Sequence, residues 1–182
     1  MILETERLLL KPYEFEYADE IYEVVKRKEI ADTMVMIPHP YPREVVNEWI
    51  HYLQRSFEKG TAYEFAIFLK GQKPRYIGNC GLVAISKIHR NAEVGYFIDV
   101  DEWGKGYATE ACKKIIEYGF KEHQLNRVYS RCMVRNIGSR KVMEKSGMVW
   151  EGCHRQEFLK EGVYEDIDYL AILATEYFKV MI

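Results

Sequence analysis

The stretch that decides the fold is Glu93-Val94-Gly95-Tyr96-Phe97-Ile98-Asp99-Val100-Asp101-Glu102-Trp103-Gly104-Lys105-Gly106-Tyr107-Ala108-Thr109-Glu110-Ala111. Residues Ala92 to Val100 read as a strand. A short loop holding Gly104 and Gly106 follows, and it opens a helix predicted from Gly106 to His123. Such a junction binds anions. The first backbone N–H groups of a helix lack intrahelical acceptors, and the helix dipole favours negative charge there. Gly104 and Gly106 let the backbone approach a bulky phosphate, and Lys105 adds a cation between them. A plain strand-to-helix turn carrying two glycines is the alternative. Two common phosphate motifs do not fit. In the P-loop pattern the lysine follows the glycine, whereas Lys105 precedes Gly106; the dinucleotide pattern GxGxxG needs glycine where Thr109 stands.

Outward from this junction the chain alternates strand and helix signals without repeats or linkers. Glu6 to Pro12 reads as a strand ended by proline. Tyr17 to Lys28 carries a helical stripe at Ile21, Val24 and Val25, and Thr33 to Pro42 is an uncharged loop with three prolines. Pro42 to Lys59 is helical again and stops at Gly60. Strands are predicted at Tyr63–Leu69 and Tyr76–Ser86 before the junction, and at Val128–Val134 after it. The junction helix shows a narrow face of Ala108, Ala111, Cys112, Ile115 and Gly119, suited to close packing on a sheet. Ile137 to Ser146 is a helix capped by Gly147. Two more strands follow, near Met148–His154 and Asp168–Ala174, joined through Glu161-Gly162. A long antiparallel run followed by βαβ units predicts an α/β (α+β) fold with a mixed sheet.

The length of 182 residues suits one domain, 1–182, large enough to need no metal or disulfide staple. With 26 Lys+Arg against 28 Asp+Glu the net charge is −2, which argues against DNA as a partner. That sum hides two fields. Trp103 to Lys145 holds ten Lys/Arg and four Glu, +6, so the rest carries −8. A basic half suits a phosphate-rich ligand and an acidic half suits an amine. The longest uncharged run, Tyr76–Ser86, has 11 residues, far below the roughly 20 a membrane helix needs. Charges at Glu4, Glu6 and Arg7 interrupt the apolar N-terminus, so no signal peptide is expected and a cytoplasmic location is. The four cysteines are 20 to 32 residues apart and the five histidines are scattered, so no metal site is expected. The cysteines read as buried thiols.

Trp103-Gly104-Lys105-Gly106-Tyr107-Ala108 resembles the acetyl-CoA loop of the GNAT N-acetyltransferases, Q/R-x-x-G-x-G/A, with Trp103 where Gln or Arg is usual. Asn136-Ile137-Gly138-Ser139-Arg140-Lys141-Val142-Met143-Glu144-Lys145-Ser146-Gly147-Met148 resembles the block NxxSxxVxxKxGF of the branch that includes the ribosomal-protein N-terminal acetyltransferases. Thr5 to Leu10 is similar to that branch's opening strand. The resemblance implies a mostly antiparallel central sheet, splayed at a cofactor cleft and flanked by helices. It implies acetyl-CoA as co-substrate, with its pantetheine arm in the gap. Backbone groups around Phe97, Ile98 and Asp99 would pair with that arm. The loop of Trp103, Gly104, Lys105, Gly106, Tyr107, Ala108 and Thr109 would hold the pyrophosphate. Asn136 would contact the arm, and Ser139 would lie near the thioester sulfur or the cofactor chain. Homodimers are frequent in this branch, although no coiled-coil seam marks an interface here.

The implied reaction is attack of a primary amine on a thioester, which requires the unprotonated amine. A lysine-like amine has a pKa of about 10.4, so roughly one in a thousand is neutral at physiological pH, whereas about a quarter of α-amino groups are. The resemblance makes Glu93 the candidate base: it lies ten residues before Trp103, the spacing of the strand glutamate used in some GNAT enzymes. Alternation along the strand puts Glu93, Gly95 and Phe97 on one face and Val94 and Tyr96 on the other. A backbone N–H near Phe97 or Ile98 is the expected oxyanion donor. Ser139 is the candidate proton donor to the leaving thiolate, or else a helix cap with Asn136. Tyr107 and Tyr129 are further candidate acids. The acidic group Glu161, Glu165, Asp166 and Asp168 is expected to be solvated near a hairpin. The apolar loop Met34 to Tyr41 either lines the acceptor pocket or packs on the core. The acceptor is a protein N-terminus or a small amine. The alternative activity is none: an acyl-CoA-binding module of the same fold.

Overall fold

The structure is a computed structural model and describes residues 1–179. Strands β1 (Leu3–Glu4) and β2 (Leu8–Lys11) lead into helices α1 (Ala18–Val25), α2 (Lys28–Thr33) and α3 (Val45–Lys59). Strands β3 (Tyr63–Leu69), β4 (Arg75–Ser86) and β5 (Asn91–Ile98) follow, then α4 (Tyr107–Lys121), β6 (Arg127–Met133) and α5 (Ile137–Lys145). The described chain closes with β7 (Val149–Lys160), β8 (Val163–Leu173) and α6 (Ala174–Lys179). All eight strands form one sheet in the order β1-β2-β3-β4-β5-β6-β8-β7. Every neighbouring pair is antiparallel except β5 with β6. This is the predicted mixed, mostly antiparallel sheet.

Two cores cover its faces. One face packs Leu8, Phe65, Ile77, Leu82 and Val94 against Ala111, Cys112 and Ile115 of α4. The small-residue face of α4 sits as close as predicted: a methyl group on Gly119 would come within 3.2 Å of Leu82 and 3.1 Å of Leu125. The other face packs Ala66, Phe68, Tyr76 and Phe97 against Ile21, Val24, Ile50 and Leu53 of α1 and α3. Strand alternation divides the residues of β5 between these cores.

Several elements differ from the prediction. The helix expected over Tyr17–Lys28 breaks at Arg27, whose extended backbone (ψ 128) starts α2. The break lets both Ile30 and Ala31 be fully buried; a straight helix would carry Ile30 to the side opposite Ile21. Strands β7 and β8 extend far beyond His154 and begin well before Asp168. Their outer halves are exposed and bulged between His154 and Phe158, so no apolar alternation marks them, and ladder hydrogen bonds alone define them. Ala174, expected in a strand, opens α6, and β1 was not predicted. Asp168 is buried and not solvated: it accepts from Arg140 Nη1 and Trp150 Nε1, both at 2.8 Å. Cys153 is exposed, while Cys80, Cys112 and Cys132 are the buried thiols expected.

Candidate active site

The site begins where β5 and β6 part. Their parallel ladder holds only the pairs Asn91–Arg127, Ala92–Val128 and Glu93–Tyr129. Beyond it the buried Ser130 hydroxyl donates to the Val94 carbonyl at 2.8 Å and pins the fork. From Gly95 onward, among the described residues, β5 has no strand on that side. The two walls enclose a cavity of about 760 Å³, lined by both strands, the start of α4, α5 and residues 33–36. That volume lies within the range of small-ligand sites.

The loop at its mouth has Gly104 at φ 77 and Gly106 at φ 86, the latter capping α4. A side chain in that backbone region costs roughly 1–2 kcal/mol. A methyl group would meet nothing closer than 3.5 Å at either position, so torsion and not crowding calls for glycine. The loop is held from two sides. Arg7 Nη1 donates to the Lys105 carbonyl at 3.0 Å, and its guanidinium lies over the Tyr107 ring. Glu110 accepts from the Thr5 hydroxyl (2.6 Å), the Arg7 backbone N–H (2.9 Å) and Arg7 Nε (2.7 Å). Burial works against the Glu110 carboxylate, but these donors hold it below the ordinary range. On the other side the buried Glu102 accepts from Arg75 Nη2 and, at 2.9 Å, from Lys105 Nζ. Lys105 therefore points at Glu102 and does not line the cavity.

Among the other sequence-singled residues, Glu93, Phe97, Ile98, Trp103, Gly104, Gly106, Tyr107, Ala108, Thr109, Asn136 and Ser139 all line the cavity. Asp99 does not: its N–H donates to the Ile77 carbonyl at 2.7 Å and its carboxylate accepts from the Asp101 N–H, facing Arg75. The Trp103 indole donates to the Ile98 carbonyl at 2.6 Å, which gives this departure from the motif a structural role. Glu93 Oε1 accepts from Arg131 Nε at 2.9 Å. Asn136 caps α5 by accepting from the Ser139 N–H at 3.0 Å, and its amide donates to the Thr33 carbonyl.

Sequence reasoning missed Tyr96. Its hydroxyl lies 2.9 Å from Ser139 Oγ and 3.0 Å from the Ser139 carbonyl. Burial pushes that hydroxyl far above its ordinary pKa, so it keeps its proton. Strand alternation had put Tyr96 on the face opposite Glu93, and only the position of α5 shows what it meets. Tyr107 lines the cavity; Tyr129 does not. Arg135, Lys141 and Lys145 line it too and were counted only as part of a basic half. The loop after α2 does reach the site: Met34, Val35 and Met36 line the cavity, and Lys160 Nζ donates to the Met34 carbonyl at 2.8 Å.

Residues 7–149 match the family model described as an acetyltransferase (GNAT) domain. The chain belongs to the GNAT acetyltransferases. A probable N-acetyltransferase of Bacillus subtilis, YjcK, is 37% identical over 142 residues, 78% of each chain. A spermidine N(1)-acetyltransferase of Vibrio cholerae is 33% identical over 101 residues, 56% of this chain and 58% of that one. The fold is that of RimL, a ribosomal-protein alpha-N-acetyltransferase solved with coenzyme A, at TM-score 0.87 and 19% identity, covering 95% of this chain and 98% of the other.

This GNAT domain is thus an acetyl-CoA-dependent acyltransferase, and its cleft fits that co-substrate. An open strand edge faces the cavity at the fork, where amides of an extended arm can pair. The α4 N-terminus, Lys141 and Lys145 also line the cavity and carry the kind of positive charge that phosphates require. Among the described residues no cluster of three or more His, Cys, Asp or Glu could hold a metal, and no helix is long and apolar enough to cross a membrane.

Proposed function

We propose that this enzyme moves the acetyl group of acetyl-CoA directly to a primary amine held in the same cleft, the acceptor being a protein N-terminal α-amine or a small-molecule amine. One observation carries the reading. Glu93 and the Ser139–Tyr96 pair come from opposite faces of the sheet and line one cavity at the fork. Acetyl-CoA supplies an activated acyl carbon. Arg131 fixes Glu93 through Oε1 and leaves Oε2 to take the proton of the amine, directly or through a water. A backbone N–H of the open β5 edge near Phe97 or Ile98 receives the oxyanion. As the C–N bond forms and the C–S bond breaks, the thiolate takes a proton from Ser139 Oγ, which Tyr96 hydrogen-bonds; Ser139 then regains a proton from water, and the proton taken up by Glu93 leaves to solvent. The loop from Trp103 to Thr109 holds the pyrophosphate.

The test is calorimetry with acetyl-CoA, then thiol release over a panel pairing N-terminal peptides with small amines. Turnover of at least one class is expected. Glu93→Gln is expected to lower turnover more than cofactor affinity, with the largest loss at low pH. Binding without turnover of any amine would leave an acyl-CoA-binding module; absence of binding would overturn the whole assignment.

A further inference from the structure

One carboxyl group lies beside the cleft, just outside its lining, and is left unused by this mechanism. Glu64 lies on β3, opposite Gly81 of β4, which lies opposite Gly95 of β5. Gly95 lines the cavity and shares a strand face with Glu93, two residues away. The register puts Glu64 on that same face, with its Cα about 12 Å from that of Glu93 for ordinary strand spacing and rise.

The floor between the two carboxylates is bare. A methyl group on Gly81 would sit 2.8 Å from Glu64 Cγ and 2.4 Å from Glu64 Cα, so the Glu64 side chain occupies the place above Gly81 that a side chain there would fill. Among the described residues a methyl group on Gly95 would meet nothing within 4 Å, so the space above Gly95 is open. Asn79 Nδ2 donates to Glu64 Oε2 at 2.9 Å and aims the carboxyl; Asn79 is itself fixed by the Tyr13 hydroxyl at 2.8 Å. Among the described residues no Lys, Arg or His forms an ion pair with Glu64, whereas Glu93 has Arg131. Burial also raises the Glu64 carboxyl above its ordinary pKa. A half-buried carboxylate without a cation, held by one amide over a glycine floor, lacks the partner such groups normally have.

We propose that Glu64 is a specificity-determining residue that takes a second, cationic nitrogen of the acceptor while the reacting nitrogen lies at Glu93. This rests on the amine acetyltransferase reading and narrows its acceptor to an amine with two positive charges. The open space above Gly95 is the path by which the acceptor reaches from Glu93 to Glu64.

The experiment compares 1,8-diaminooctane with nonylamine, which has the same length and one charge fewer. Both are assayed with the wild type, Glu64→Gln and Glu64→Asp. Turnover is measured by thiol release, and binding to the coenzyme A-loaded protein by calorimetry. The wild type is expected to favour the diamine by about tenfold or more in kcat/KM, as a charge-assisted hydrogen bond gives. In Glu64→Gln the preference should collapse through the diamine's KM, with Glu64→Asp between the two. Circular dichroism shows whether the variants fold, and the near-isosteric Gln keeps an acceptor for Asn79. Equal wild-type use of the two amines, or a preference that survives in folded Glu64→Gln, overturns the proposal. If nothing is turned over, the enzyme reading fails by itself, and the binding preference still decides the role of Glu64.

Discussion

The Ser139–Tyr96 pair makes a prediction whose size follows from a count of protons. The two hydroxyls hold two hydrogens. If Tyr96 donates to the Ser139 carbonyl at 3.0 Å, Ser139 Oγ donates to Tyr96 at 2.9 Å, and neither hydrogen is aimed into the cleft. If Tyr96 instead donates to Ser139 Oγ, the serine hydrogen is free for the sulfur. Catalysis needs the second arrangement, and Tyr96 keeps its proton at any working pH because burial raises it so far. Ser139→Ala removes the proton donor, and such donors contribute roughly 10²–10⁴-fold, about 2.7–5.5 kcal/mol of barrier. Tyr96→Phe removes one neutral hydrogen bond to that donor, about 1 kcal/mol or a several-fold loss. The double variant should be no slower than Ser139→Ala, because Tyr96 acts on the chemistry only through Ser139. Single-turnover thiol release at saturating acetyl-CoA isolates the chemical step from product release. Multiplicative losses in the double variant, or a Ser139→Ala enzyme as fast as wild type, would refute the relay. An alkaline limb in kcat that disappears in Tyr96→Phe would do the same.

Four further outcomes are expected. Gly106→Ala forces a side chain into the left-handed region and should lower Tm by roughly 2–8 °C, whereas Gly106→Asp should in addition abolish acetyl-CoA binding by placing a negative charge at the helix start. Arg7→Ala should also lower Tm, by about 2–4 °C. Glu110 titrates below its unfolded value, so its contribution is present above about pH 4 and fades as pH falls further, and the gap between wild type and Arg7→Ala should close in acid melts. Glu64 shows the opposite sign: its raised carboxyl makes ionisation unfavourable in the fold, so Glu64→Gln should raise Tm near neutral pH, with the gain shrinking as pH falls. Mild alkylation of the native protein should label Cys153 first, since burial pushes the Cys132 thiol to about 11 and Cys112 to about 12; mass spectrometry of the digest reads this directly.

The order of elements, the mixed sheet and the helix-opening glycine loop are legible in the chain because they are local. Period-2 and period-3.6 patterns and glycines at φ 77 and 86 act over a few residues. Glu93, Asn136 and Ser139 were found by motif and spacing, and the structure brings them to one cavity. What stayed hidden is long-range. Tyr96 meets Ser139 across 43 positions, Arg131 meets Glu93 across 38, and Arg7 reaches the loop across 98. Lys105 and Asp99 read as ligand-facing in a linear motif, yet Glu102, Arg75 and Ile77 claim them, since a side chain turns to whichever partner the packing brings near. The sequence by itself determined a strand, a glycine loop and a helix in succession, with a glutamate on the strand. Only the tertiary structure decided that β5 and β6 part after Glu93, because that depends on which strand stands beside which. The same sheet order set Glu64, Gly81 and Gly95 in one row. No local pattern encodes a neighbour that the chain reaches only after folding.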